Sequence, residues 1–116
     1  MIIRGIVNPL RYAQVQITVR GAQGAADKTL DAIMDTGFDQ GLSLPLSIIK
    51  ELNLYYSRKG SSMNFGCEIE EFDAHYAVAV LGDYEKGVVC FAAENPPLVG
   101  MELLDGFRLC VDNTPK

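Results

Sequence analysis

The sequence predicts a mainly β fold, a sheet closed or partly closed into a barrel with one or two short helices attached. Three observations predict it. Residues 13–19 alternate, with Val15, Ile17 and Val19 facing one way and Gln14, Gln16 and Thr18 the other, the period of a strand with one wet face. Residues 67–81 form a long β-prone stretch in which Ala74, Tyr76, Val78 and Val80 keep step. The strand-like runs are separated by turn residues rather than by helical crossovers, so a doubly wound parallel sheet is not expected. A length of 116 residues suits one domain spanning residues 1–116, and a 48% apolar share is enough to build its core.

In chain order, residues 2–7 read as a first strand closed by the turn dipeptide Asn8-Pro9. Residues 13–19 are the second strand, and the small, polar residues 21–27 connect it to a third over 29–35. Pro45 fits the first turn of a helix, where a missing N–H does no harm, and Ile48, Ile49 and Leu52 then share a helical face. That helix is expected to end near Asn53, a residue that tolerates the left-handed conformation. Residues 54–56 return to extended chain, and the arms on either side of Asn64-Phe65-Gly66 suggest a hairpin with a mobile tip. Gly82-Asp83 starts another turn, residues 87–92 a further strand, and Asn95-Pro96-Pro97 is a loop. Leu98-Val99-Gly100 leads into a short helix over 101–105, stopped by Gly106. Residues 107–112 are expected to be a last strand, with Phe107, Leu109 and Val111 on one side, before a loose tail. No tandem repeat or low-complexity tract interrupts this order.

A formal net charge of −5 argues against nucleic acid or an anionic membrane as partner, since both favour basic surfaces. No run approaches the length of a membrane span, and the opening residues lack the basic leader and apolar core of a signal peptide. Cys67, Cys90 and Cys110 are odd in number and far apart, with no C-x-x-C pair. They are expected to be free, mostly buried thiols of a cytoplasmic protein. His75, the one histidine, has no Cys or carboxylate at metal-ligand spacing, so it reads as a surface or packed residue and no metal or cofactor is expected. A Gly-x-Ser-x-Gly elbow, a P-loop and a dinucleotide fingerprint are all missing.

The stretch that carries chemistry is Asp35-Thr36-Gly37, at the end of the apolar run 30–34. A carboxylate at the end of a buried strand needs hydrogen-bond donors to stay ionised, and Gly37 removes the side chain that would keep donors and a ligand away. One reading makes Asp35 a catalytic residue; the other makes it a strand-end aspartate closing an Asx-turn. Asp39 reads as a solvated loop residue and Asp31 as an exposed charge on the strand.

Together, the hydrophobic pair before Asp-Thr-Gly, the hairpin around residues 64–66 and Leu98-Val99-Gly100 before a helical turn resemble the retropepsin-like aspartic proteases, the single-lobed relatives of pepsin. Closest in look are the small bacterial members, through Asp35-Thr36-Gly37-Phe38, Leu42-Ser43-Leu44-Pro45 and residues 98–104. The resemblance covers about residues 2–112. It implies a barrel of the retropepsin type, an endopeptidase acting on a peptide or protein substrate, and no cofactor. Such chemistry uses two carboxylates sharing one proton, and this chain carries one motif, so the resemblance implies a homodimer with an Asp35 from each chain. It gives Thr36 a hydroxyl contact with the partner's backbone and Gly37 an N–H toward the carboxylates. Asn64, Phe65 and Gly66 would cover substrate, and residues 2–7 and 107–112 would build the dimer sheet. Where better-known retroviral members carry alanine or serine, this chain has Phe38. Phe38 cannot hydrogen-bond the outer carboxylate oxygen, so activity is expected at less acidic pH than pepsin's, with a narrowed site. The rival from another class is a noncatalytic dimeric β-barrel that binds peptides or serves assembly.

Overall fold

A computed structural model describes residues 1–63 and 66–114. The strands are β1 (Ile6–Val7), β2 (Ala13–Val19), β3 (Lys28–Met34), β4 (Leu42–Leu44), β5 (Tyr56–Met63), β6 (Ile69–Leu81), β7 (Tyr84–Ala92) and β8 (Leu98–Val99), with one helix, α1 (Leu46–Glu51). Hydrogen bonding orders them β1-β2-β3-β8-β4-β7-β6-β5, and a further pairing of β2 with β6 turns the row into a ring. One edge of β2 pairs along its length with β3. Its other edge is shared: β1 takes the start, at Val7↔Ala13, and β6 takes the end, at Val19↔Ala79.

The alternation read in residues 13–19 is what fills the ring. Val15, Ile17 and Val19 are buried there with Ala32, Leu42, Leu44, Ala77, Ala79, Leu81, Val88, Cys90 and Val99. Ile49 of α1, with Leu52 and Leu54 behind it, covers one side, and Leu103 and Leu104 another. Each large aliphatic side chain so buried contributes about 1.5–3 kcal/mol.

Several expectations are corrected. Only Ile6–Val7 of the first run pairs as strand. A strand not foreseen, β4, holds three consecutive buried residues, which leaves no alternation to read. Pro45 sits just before the helix, at φ −58 and ψ 145, rather than in its first turn, while Asn53 is left-handed at φ 54 as expected. The extended arm before the hairpin is a strand, β5, paired with β6 from Tyr56↔His75 to Met63↔Ile69 with a register shift between Tyr56 and Arg58. Residues 101–106 form turns instead of a second helix: the Leu104 N–H reaches the Gly100 carbonyl, but the Asp105 and Phe107 N–H groups bond carbonyls only three residues back. Residues 107–112 form none of the strands, so the expected last strand is absent from the sheet of the described residues. Two of the three cysteines, Cys67 and Cys110, are exposed and only Cys90 is buried; all three are free. Among the described residues no helix is long and apolar enough to cross a membrane.

Candidate active site

Asp35 lies one residue beyond β3, and two parallel-strand bonds fix that position. The Ile33 N–H donates to the Pro97 carbonyl and the Asp35 N–H to the Val99 carbonyl, each at 2.9 Å. These bonds continue the β3–β8 register, in which Met34 faces Val99. Beyond Asp35 the chain turns sharply. The Gly37 N–H donates to Asp35 Oδ1 at 2.9 Å, and the Phe38 N–H to the Asp35 carbonyl at 3.2 Å. The carboxylate bond is the Asx-turn bond, and it is also the donor that a catalytic reading asks of Gly37. Asp35 is half-buried, and Thr36 and Gly37 are exposed.

The loop after Asp35 is stitched to the segment after β8. The Met101 N–H donates to the Phe38 carbonyl at 2.8 Å, the Gly100 N–H to the Gly41 carbonyl at 3.0 Å, and the Glu102 N–H to the Gln40 carbonyl at 3.3 Å. Gly100 is buried at this crossing, and a Cβ there would fall 2.0 Å from the Gln40 carbonyl oxygen. No side chain fits, which gives the glycine of Leu98-Val99-Gly100 its steric reason. Glu102 adds a clasp to β7. Its Oε1 accepts the Val89 N–H at 3.2 Å, and its carbonyl accepts Lys86 Nζ at 2.7 Å.

Beside Asp35 opens a groove of about 410 Å³, lined by Tyr12, Ile33, Met34, Asp35, Thr36, Asn95, Pro96 and Leu98. Its lining combines the aliphatic side chains of Ile33, Met34 and Leu98 with a phenol, an amide and the carboxylate. Tyr12 reaches it through a loop built by Asn8, whose Oδ1 accepts the N–H groups of Leu10 and Tyr12, both at 3.0 Å. Arg11 takes the left-handed φ of 68 inside that loop. Tyr12, Asn95 and Pro96 were not singled out from the sequence; both loops carry an Asn-Pro turn signal, but nothing local says that they flank one groove.

Phe38 does not line that groove. Its ring centroid stands 6.1 Å from that of Phe91, and its Cδ2 2.6 Å from where a Cβ of Gly100 would lie. Gly66 is exposed at the turn of the β5–β6 hairpin, whereas Asn64 and Phe65 lie outside the described residues. Asp39 and Asp31 are exposed. His75 is packed, 9% exposed, with the Tyr56 ring 5.5 Å away and no partner for Nδ1 among the described residues. Among these residues no group of His, Cys, Asp and Glu is placed to hold a metal ion.

No protein-family model matches the chain, and no curated protein matches it. Among solved structures it is similar to the EIAV protease complexed with the inhibitor HBY-793, with a TM-score of 0.65 and 18% identity. That similarity covers 90% of this chain and 97% of the other. At this identity the likeness is one of fold: a mainly β, ring-like arrangement of the retropepsin type.

Proposed function

We propose that the chain is a single-domain half of an aspartic endopeptidase, completed when two copies bring their Asp35 carboxylates together on a two-fold axis. The observation that carries this reading is the setting of Asp35. Asp35 lines a groove with Ile33, Met34 and Leu98, and its carboxylate accepts a backbone N–H, on a loop that three bonds hold to the 100–102 segment. The likeness of fold to a protease supports it.

Two carboxyl groups about 3 Å apart share one proton, since both cannot ionise at that distance. The ionised one takes a proton from a water held between them as that water attacks the scissile carbonyl. The protonated one donates a hydrogen bond to the carbonyl oxygen and stabilises the charge that develops there. Gly37 supplies its N–H to the dyad and Thr36 a hydroxyl bond to the partner's backbone. Asn64, Phe65 and Gly66 cover the peptide and exclude water. The groove beside Asp35 takes an apolar side chain next to the scissile bond.

The dimer forms through residues 2–7 and 107–112. Ile2, Ile6, Leu109 and Val111 are exposed there, around a cavity of about 1000 Å³ lined by both segments. Extended segments that expose apolar side chains, beside the terminal strand β1, are suited to pairing with a second copy. Three free thiols fit a reducing cytoplasm.

Asp35→Asn tests the reading. It should abolish peptide cleavage and leave the dimer intact by sedimentation, with wild-type activity at less acidic pH than pepsin's. If wild-type protein cleaves no peptide between about pH 3 and 8 and ignores pepstatin-type inhibitors, the noncatalytic peptide-binding or assembly module replaces this reading.

A further inference from the structure

The β5–β6 hairpin and the loop carrying Asp35 are far apart in sequence, yet one side chain lies against both. Phe91 of β7 is 3% exposed. Its ring stacks on Phe72 of β6, with centroids 5.7 Å apart and planes 15° from parallel. On β5, Gly60 is buried, and a Cβ there would come 2.8 Å from Phe91 Cε1, so the ring fills the space that a side chain would take. Phe91 also meets Phe38, with centroids 6.1 Å apart and planes at 58°. Phe38 in turn makes two of the bonds that shape the site: its N–H donates to the Asp35 carbonyl, and its carbonyl accepts the Met101 N–H. The contacts are therefore continuous from both strands of the hairpin to the backbone of Asp35.

We infer that Phe91 is a positioning residue that couples the seat of the β5–β6 hairpin to the loop holding Asp35. Close-packed rings do not compress, and a displaced neighbour must move them as units. Gly60 and Phe72 fix the plane of Phe91, and Phe91 limits where Phe38 and the turn after Asp35 can sit. The catalytic consequence rests on the proposed role of Asp35: seating the hairpin over a peptide also sets the carboxylate's backbone.

Amide hydrogen exchange of the wild-type chain and Phe72→Ala tests the coupling without assuming any activity. Phe72 is half-buried on the hairpin, remote in sequence from the Asp35 loop. Its truncation should speed exchange of the Phe38 and Met101 amides by about three- to tenfold, the scale of one aromatic contact. Amides of β2 should stay unchanged, and Phe72→Tyr, which keeps the stack, should behave as wild type. Phe91→Leu, which keeps the burial but loses the stacking, should match Phe72→Ala and serves if that variant does not fold. Two results overturn the inference: hairpin amides exchanging faster with Phe38 and Met101 unmoved, or β2 amides rising by the same factor. In a peptide-cleavage assay Phe72→Ala should lower kcat more than it changes KM. A wild-type chain that cleaves nothing sinks the catalytic role of Asp35, while the exchange data still decide the coupling.

Discussion

Gly100→Ala is the sharpest probe of how the Asp35 loop is held. The added methyl would lie 2.0 Å from the Gln40 carbonyl oxygen, 2.7 Å from the Phe38 carbonyl oxygen and 2.6 Å from Phe38 Cδ2. Two of these atoms are backbone, so no side chain can swing aside to make room. Relief requires the two segments to separate by about 1 Å, since interiors are packed at contact distance. Separation lengthens the three bonds between them, at 2.8, 3.0 and 3.3 Å. Losing two at about 1 kcal/mol each, with an overpacking penalty of about 1–3 kcal/mol, destabilises the fold by about 3–5 kcal/mol. That is a large part of the about 5–15 kcal/mol typical of a domain. Urea unfolding at constant slope measures it. Gly87→Ala on β7, where nothing lies within 4 Å of the new methyl, is the matched control and should shift the midpoint little. A loss under about 1 kcal/mol for Gly100→Ala would refute the steric account of the crossing.

Two further outcomes follow from the charges and thiols. Burial pushes the Cys90 thiol up to about 12, so it should stay protonated and unlabelled by thiol reagents in the native chain while exposed Cys67 reacts; mass spectrometry of native and denatured samples checks this. The hydrogen bond from Lys59 holds the Asp73 carboxyl below its ordinary value of 3.8, at the base of the β5–β6 hairpin. A folded value below the unfolded one means that the contribution is complete above that ordinary value and is lost as pH falls through the lower, folded one. The hairpin should therefore hold this clasp at mildly acidic pH and release it only below 3.8, and Asp73→Asn should remove that step from an acid titration followed by NMR. Asp27, held low first by the Gly21 N–H and then by Arg20, should lose its clasp in the same acid window.

What the sequence makes legible depends on how locally each feature is encoded. The alternation of Val15, Ile17 and Val19 is a property of one strand, and it survives intact in the core. Asp35-Thr36-Gly37 is legible because the turn, the carboxylate and its donor lie within three residues. β4 is not, because Leu42, Ser43 and Leu44 are all buried, Ser43 included, between β7 and β8. Residues 107–112 have the pattern of a strand but do not join the sheet, and an alternating pattern by itself does not supply the neighbour whose backbone makes a strand. The expected helix at 101–105 is a run of turns, because after the Leu104 N–H reaches the Gly100 carbonyl the Asp105 and Phe107 N–H groups bond only three residues back. Tyr12, Asn95 and Pro96 meet at the groove through the path of the chain, which no local pattern announces.

The pairing of β3 with β8 also dictates when the site can come into being. Asp35 finds the carbonyl that receives its N–H on Val99, and the loop after it finds its anchors on residues 100–102. During synthesis the Asp-Thr-Gly stretch leaves the ribosome more than sixty residues before those anchors. Closing so long a loop between parallel strands is among the slower steps a small domain can take. Until it closes, Asp35 has its local turn but no β8 to place it, and the nascent protein carries the motif without its setting.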